Sequence, residues 1–379
     1  MNISKGATMW RLSEDKQWSR LAAKFRWVAD MHTVPQDPRH HAEGDVAIHT
    51  QRVLAALTES AQFLTLPEQQ QELVWAAALL HDVEKRSTTR VADDGSVTSP
   101  NHAKRGELTT RTILYRDIVT PFQLREQVAA LVRFHGLPLW IMGRPTPERA
   151  LLLAALRLDT RLLALLARAD VMGRDCEDQN GLLDNIELFE LFCQEQQCWG
   201  QARPFASDSQ RYHYLTHPLA SVDFVPYQQF QSEVTLLCAL PGMGKDRYIA
   251  QHAAGCEVIS LDNIRRQHRL SPTDKNATGW VVQQAKLQAK ALLRRGEPFV
   301  WNATNITRQL RSQLVELFTA YGARVKIVYL EVPYAQWQRQ NAEREYSVPV
   351  EAMARMLSKL EIPQADEAHE VELRVQDAI

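Results

Sequence analysis

Apolar residues recur with two different periods along the chain, and the change of period divides it. Through most of the first 199 residues the apolar positions are spaced three or four apart, as on one face of a helix. Asp45 and Asp159 precede two such segments, as helix-capping residues do. Only around Asp94-Gly95, between β-prone triplets, does the pattern predict a small hairpin. The sequence therefore predicts an all-α domain over residues 1–199.

The period changes after that domain. Residues 200–230 are rich in Pro, Ser and aromatic side chains, which predicts a packed linker. From residue 231 short apolar runs, such as CEVIS, PFVWN and RVKIVYL, alternate with helical patterns. This alternation is typical of a parallel sheet covered by helices. We therefore predict a multidomain protein, in which residues 231–379 form an α/β domain.

The first strand of the second domain leads into a phosphate loop. Residues 234–246 read VTLLCALPGMGKD, a strand followed by a glycine-bearing turn, a lysine and the start of a helix. Backbone N–H groups of such a loop face one anion, and the lysine reaches the outer phosphates. Asp246 stands where Ser or Thr normally meets Mg²⁺, and a carboxylate can hold the ion directly or through water. The predicted nucleotide-binding residues are Gly242, Met243, Gly244, Lys245 and Asp246.

Ligands of parallel sheets lie beyond the carboxyl ends of the strands, so the residues that follow each strand carry the next predictions. Asp262 is placed to take a proton from an attacking hydroxyl, and Arg265, one turn later, to hold a phosphate of the acceptor. Farther along, Arg339 and Arg344 stand where a mobile lid would bring positive charge over the transferred phosphoryl group.

The helical domain places metal-binding side chains where apolar residues are expected. His49, His81-Asp82, His135 and Asp170 all end or interrupt apolar helix faces. A lone buried carboxylate costs several kcal/mol unless it is paired or metal-bound, so convergence is favoured. Any one of these histidines would equally suit a hydrogen-bonded core position. Histidine and aspartate together suit manganese, iron, cobalt, nickel or zinc without selecting among them.

Composition limits the binding partners and the cellular location that we expect. The 44 basic side chains are balanced by 45 acidic ones, so nucleic acid could be bound only through a local patch. Five scattered cysteines indicate reduced thiols and a cytoplasmic location. No run of about 18 apolar residues occurs, so no membrane association is expected.

The order His49, His81-Asp82, Asp170 resembles the H...HD...D signature of HD-domain phosphohydrolases. The resemblance implies that these four residues bind one metal and that Asp82 bridges to a second, which His102 and His135 hold. Two metals would clamp a phosphate and activate water near neutral pH. Lys85 would neutralise phosphate oxygens, with Arg105 and Arg133 as further candidates.

The second half resembles the 5'-hydroxyl polynucleotide kinases, on the residues PGMGK, DNIR, NATN and the segment from Asn341 to Pro349. The order of the two modules is similar to bacterial HD-polynucleotide kinase fusions that heal broken RNA ends. This resemblance implies a nucleoside triphosphate, ATP or another, with Mg²⁺ for the kinase. It also implies one or two divalent transition metals for the HD domain.

The implied activity is bifunctional. The kinase would phosphorylate 5'-hydroxyl ends of RNA or DNA, and the HD domain would remove a 2',3'-cyclic phosphate or a 2'- or 3'-phosphate, leaving ends for a separate ligase. One alternative is an HD nucleotide phosphohydrolase fused to a small-molecule kinase, such as one acting on a nucleoside. The other is a non-enzymatic nucleotide-sensing switch.

Overall fold

Helices occupy almost all of the first part of the chain, and a five-stranded sheet organises the second. The structure is a computed structural model that describes residues 9–271 and 274–377. The chain divides into two compact units, one ending at Pro204 and the other beginning at Phe205. The predicted fold class, a helical region followed by a parallel α/β domain, is confirmed.

The first unit contains twelve α-helices among the described residues. They are α1 (Trp18–Lys24), α2 (Arg26–Ala29), α3 (Val46–Glu59), α4 (Ala61–Leu64), α5 (Glu68–Leu80), α6 (Lys85–Thr88), α7 (His102–Thr112), α8 (Phe122–Phe134), α9 (Leu137–Trp140), α10 (Pro147–Ala155), α11 (Thr160–Gly173) and α12 (Gln179–Glu195). A π-helix, Ile113–Asp117, continues α7, and a 3₁₀-helix spans Ile141–Gly143. The hairpin is also present, as β1 (Arg90–Val91) paired antiparallel with β2 (Val97–Thr98).

Helix α5 forms the centre of this unit. Its residues from Glu72 to Leu80 are all buried, which explains why the stretch reads as apolar on every side. Helices α3, α8 and α11 pack on it. Helix α3 begins where Asp45 accepts a hydrogen bond from the N–H of Ile48, as predicted for its cap.

The second unit alternates strands and helices. Its elements are α13 (Asp208–Thr216), β3 (Ser232–Cys238), α14 (Lys245–His252), β4 (Glu257–Ser260), α15 (Leu261–Gln267), α16 (Lys275–Arg294), β5 (Phe299–Asn302), α17 (Arg308–Thr319), β6 (Ala323–Glu331), α18 (Tyr334–Ala342), α19 (Val350–Leu357) and β7 (Glu370–Val375). The strand order is β4-β5-β3-β6-β7, and all four pairings are parallel. The strand before the phosphate loop, β3, therefore lies in the middle of the sheet.

A buried ion pair joins the last part of the chain to this sheet. Arg311 on α17 is fully buried and donates to both carboxylate oxygens of Glu367, at 2.7 and 3.0 Å. The same guanidinium donates to the backbone oxygen of Asn305, in the loop after β5. A few residues beyond Glu367, β7 pairs with β6 from Lys326↔Glu370 to Glu331↔Val375.

Two elements differ from the sequence analysis. Helix α13 lies inside residues 200–230, for which the sequence predicts a linker without a helical pattern. Ser207 caps it by accepting from the N–H of Gln210. Strand β7 was not predicted at all.

In residues 9–271 and 274–377 we find no helix with the length and apolar character needed to cross a bilayer.

Candidate metal centre and phosphate loop

Two helices bring the first pair of predicted ligands together. On α3, His49 is fully buried, and its Nε2 lies 3.0 Å from Oδ1 of Asp170 on α11. The helices approach closely because α11 has Gly173 one turn after Asp170. A Cβ at this glycine would lie 2.7 Å from Cγ2 of Val53, one turn after His49. A larger residue at position 173 would push the two ligands apart.

The other histidines lie at helix ends. His81 follows the last residue of α5 and His135 the last residue of α8, while His102 begins α7. Asp82 comes directly after the end of α5. These helix ends explain the sequence pattern, in which each histidine follows or opens an amphipathic segment.

All six predicted metal ligands converge into two groups of three. One group is His49, His81 and Asp170, and the other is Asp82, His102 and His135; within each group the ligand atoms lie within 4.8 Å of one another. The carboxylate of Asp82 faces both groups. Its Oδ2 lies 3.3 Å from Nε2 of His81, and its Oδ1 lies 3.5 Å from Nε2 of His102.

The orientation of the rings fits metal binding. His81, His102 and His135 each place Nδ1 2.7–2.8 Å from a backbone carbonyl oxygen three residues earlier. If Nδ1–H donates there, each Nε2 presents a lone pair to the centre. The Nε2 atoms of His49 and His81 are 3.4 Å apart, as are those of His102 and His135. Facing lone pairs at this distance repel unless a cation lies between them.

The carboxylate of Asp82 also indicates a metal site. Oδ1 of Asp82 is buried and accepts no hydrogen bond from the described residues. A buried carboxylate oxygen without a donor is costly, and a cation would compensate it. Burial opposes ionisation of Asp82, but the charges of Lys85, His81 and His102 hold the pKa of this carboxyl well below its usual range. The donor set therefore fits two adjacent divalent metals.

Lys85 lies within the centre, where its Nζ is 2.8 Å from Oδ2 of Asp82 and donates to Oε1 of Gln36 at 2.7 Å. Arg105 and Arg133 lie farther out, since Arg105 contacts the hydroxyl of Ser87 and Arg133 lies 3.6 Å from Glu107.

Sequence reasoning missed three charged or titratable side chains around the ligands, of which that of Glu43 is fully buried and those of Arg174 and His41 are partly exposed. The guanidinium of Arg174 donates to both oxygens of Asp170, at 3.2 and 2.7 Å. Glu43 and His41 lie on the far side of His49, with Oε1 of Glu43 2.8 Å from Nδ1 of each histidine. Burial opposes ionisation of Glu43, but the imidazoles of His41 and His49, each 2.8 Å away, and the N–H of Asp175 hold its pKa below the usual range. An i,i+4 spacing from Asp170 to Arg174 was the one available signal.

In the second unit, the loop after β3 has the backbone that phosphate binding requires. Gly242 and Gly244 adopt φ of +84° and +92°, which side-chain-bearing residues rarely adopt. Helix α14 begins at Lys245, whose Nζ donates to the carbonyl oxygens of Ala239 and Leu240 at 3.2 Å each. Met243 is buried and anchors the turn.

Neighbouring segments hold this loop in place. The indole of Trp337 on α18 donates to the carbonyl oxygen of Pro241 at 2.7 Å. The N–H of Ala239 donates to the carbonyl oxygen of Thr304, in the loop after β5. Asn302, at the end of β5, donates to Oδ1 of Asp246 at 3.1 Å, so the magnesium position predicted for Asp246 has an amide beside it.

The predicted acceptor residues lie on the helix that follows β4. Asp262 and Arg265 on α15 form an ion pair of 2.9 Å, in which the carboxylate side chain is 74% exposed. Burial lowers the pKa of Lys245 to about 8, whereas the charges of Asp246 and Asp262 oppose the shift and that of Arg344 adds to it. The charges of Asp246, Asp262 and Arg344 therefore all influence the loop lysine.

The two lid arginines differ in position. Arg344 lies against the loop, since its Cδ is 3.8 Å from a Cβ built on Gly242. Arg339 is exposed on α18, and among the described residues its side chain makes no hydrogen bond or ion pair with the loop. Asn341 lies between them, and its side chain exchanges two hydrogen bonds with the backbone of Val348, at 2.8 and 3.0 Å.

Comparisons with known proteins agree with this division of the chain. Residues 46–174 match the family model described as HD domain, and residues 234–363 match the one described as AAA domain. None of the curated proteins compared with the chain matches it.

Solved structures similar to the chain include two proteins described as kinases. One, from Chloroflexus aurantiacus J-10-fl and assigned as a kinase, is 12% identical with a TM-score of 0.33, covering 39% of this chain and 89% of its own. The other, a sugar kinase from Janibacter sp. HTCC2649, is 18% identical with a TM-score of 0.30, covering 38% of this chain and 85% of its own. From the family matches, the chain joins an HD phosphohydrolase-type domain to a P-loop kinase-like domain.

Proposed function

We propose that this protein is a bifunctional enzyme that heals nucleic-acid ends. The kinase domain transfers the γ-phosphate of ATP or another nucleoside triphosphate to a 5'-hydroxyl end of RNA or DNA. The HD domain removes a 2',3'-cyclic phosphate or a 2'- or 3'-phosphate. The products are ends that a separate ligase can join.

The observation that carries this proposal is the exposure of Asp262, whose charge influences Lys245 of the phosphate loop. A side chain that is 74% exposed leaves room for a chain end, whereas a small-molecule site usually encloses its ligand. Arg265, held against Asp262, supplies a positive charge for the phosphate that follows the terminal nucleoside.

In the kinase reaction the chain's own residues move one proton and hold the phosphates. Asp262 accepts the proton of the 5'-hydroxyl as that oxygen bonds to the γ-phosphorus, and the bond from phosphorus to the β-phosphate oxygen breaks. Lys245 and the loop N–H groups neutralise the charge on the departing diphosphate. Asp246 would hold Mg²⁺, which supplies further charge neutralisation when bound.

In the HD domain, His49, His81, Asp82, His102, His135 and Asp170 would hold the metals. Bound divalent metals would supply Lewis acidity and a nucleophile at neutral pH. Lys85 would balance the charge of the substrate phosphate. Since the His102 side chain is 25% exposed while the other five ligands are buried, the substrate would approach from the His102 side.

The test of the kinase uses 5'-hydroxyl acceptors of increasing length with γ-labelled triphosphate. We expect label on oligonucleotides, little on a nucleoside, and none with Lys245→Ala or Asp262→Asn. Equal labelling of a nucleoside would favour the small-molecule kinase. No transfer to any acceptor would favour the nucleotide-sensing switch.

The same variants test the hydrolase and whether the two activities are separable. Asp82→Ala should abolish phosphate release from 3'-phosphate and cyclic-phosphate ends and keep the kinase rate within about threefold, because separate sites do not share partners. Lys245→Ala should do the reverse. If either change stopped both reactions in a folded protein, one composite site would replace the two proposed here.

A further inference from the structure

The four histidines of the metal centre are not oriented in the same way. His81, His102 and His135 lie at helix ends, and each contacts the backbone carbonyl three residues earlier through Nδ1. For His81 and His135 the carbonyl belongs to the last turn of a helix, where carbonyl oxygens lack intrahelical partners, and for His102 it belongs to Ser99, in the turn before α7. A neutral dipole therefore orients each of these three rings.

His49 cannot use this arrangement, because it lies inside α3. The carbonyl three residues before it, that of Val46, already accepts from the hydroxyl of Thr50 at 2.8 Å. Instead, Nδ1 of His49 lies 2.8 Å from Oε1 of Glu43. The two atoms approach closely, but Nδ1 of His49 has no hydrogen-bond partner among the described residues, so Glu43 acts on the ring through its charge. His49 is thus the one histidine of the centre backed by a carboxylate.

Glu43 is built into the structure rather than lying there by chance. Its side chain is fully buried, and its Oε1 also accepts from His41. Its other oxygen, Oε2, accepts from the N–H of Asp175 at 2.9 Å, and the N–H of Ala42 donates to the carbonyl oxygen of Asp175 at 3.0 Å. The residue before Asp175 is Arg174, which holds the ligand Asp170.

We propose that Glu43 is a positioning residue that makes the group His49, His81 and Asp170 the tighter of the two metal positions. A full negative charge 2.8 Å behind an imidazole stabilises a cation at the other ring nitrogen more strongly than a neutral carbonyl dipole does. The other group, Asp82, His102 and His135, has only carbonyl oxygens behind its histidines, and His102 is partly exposed. This inference rests on the proposed metal-dependent hydrolase, but it concerns metal affinity and needs no substrate.

The test is a metal titration of the full, metal-stripped chain with Mn²⁺ or Co²⁺, followed by calorimetry and by competition with a chelator. We expect two classes of bound ion with unequal affinity. Glu43→Gln keeps the shape of the side chain and removes its charge, so it should weaken the tight class about 10–100-fold and leave the weak class within about threefold. His102→Ala should remove the weak class and keep the tight one.

A matched control is Glu72→Gln, since Glu72 is equally buried but bonds to Leu12 and Lys16, away from the ligands. It should leave both affinities unchanged. Thermal unfolding of metal-free Glu43→Gln separates a folding defect from an effect on metal affinity. If this variant unfolds at a lower temperature than the parent, His41→Ala replaces it in the titration. His41→Ala should weaken the tight class alone. Two equal classes, or a Glu43→Gln protein with parental affinities, would overturn the inference while leaving the hydrolase proposal intact. A parent protein that binds no metal would overturn both.

Discussion

Gly244 and Gly255 adopt almost the same left-handed backbone, with φ of +92° and +88°, and each would have open space around an added Cβ. Only Gly244 belongs to the phosphate loop. Replacing either by Ala should therefore cost roughly the same, about 1–2 kcal/mol of stability from backbone strain. Only Gly244→Ala should also raise the KM for the triphosphate, because it turns loop N–H groups away from the phosphates.

Thermal unfolding and initial-rate kinetics on the two variants check this expectation. Gly255→Ala is the matched control for strain alone. If the two variants showed the same KM, the loop at Gly244 would not be the phosphate site.

Among single residues, the metal ligands could be predicted from the sequence, but the side chains that contact them could not. His49, Asp82 and Asp170 were visible because polar side chains interrupt apolar helix faces, and the structure brings them together. Glu43 could not be identified from the sequence, because it lies in a loop without periodicity. Its position depends on a hydrogen bond from the N–H of Asp175, in the loop between α11 and α12. The catalytic and metal-binding roles of His49, Asp82 and Asp170 stay predictions.

At the scale of elements, the segment after α18 is held by one side chain. Asn341 is buried, and its side chain both donates to and accepts from the backbone of Val348. These two bonds hold the segment between the two residues, which includes Arg344. Asn341→Ala should release this segment, since each lost bond costs about 1 kcal/mol or more. Protease cleavage within residues 342–348 should become faster, and the kinase rate should fall.

Asn341→Asp sharpens the measurement, because its carboxylate can accept from the N–H of Val348 but cannot donate to the carbonyl. Its cleavage rate should lie between those of the parent and Asn341→Ala. Asn185→Ala, which removes an amide contact to Leu139 in the first unit, serves as the control. Unchanged cleavage in Asn341→Ala would show that other contacts hold the segment.

The elements that the sequence did not reveal have a common cause. Strand β7 reads EVELRV, and none of its residues is fully buried, so its alternating charges resemble a solvated segment. Its strand conformation depends on pairing with β6, which lies about forty residues earlier, and on ion pairs such as Lys326 with Glu372. Helix α13 is short and polar, and local periodicity is weak over so few residues. Strand β3, a continuous apolar run that leads into a glycine-bearing turn, was predicted correctly.

At the scale of the whole molecule, each candidate site is made by residues of one compact unit. The six metal ligands all precede Pro204, and the residues around Lys245 all follow it. The order of two modules could be predicted because their motifs are far apart in sequence.

The pairing of β7 with β6 has a practical consequence for shortened forms of the protein. A chain ended at residue 363, where the family match stops, would lose both β7 and Glu367. Strand β6, largely buried, would become an open edge whose free N–H and carbonyl groups can pair with other copies, and Arg311 would keep a buried charge without its carboxylate. We expect the chain ending at residue 363 to aggregate, as measured by light scattering, and a chain ending at residue 377 to stay dispersed. If both samples stayed dispersed, β7 would not be needed to protect the edge of β6.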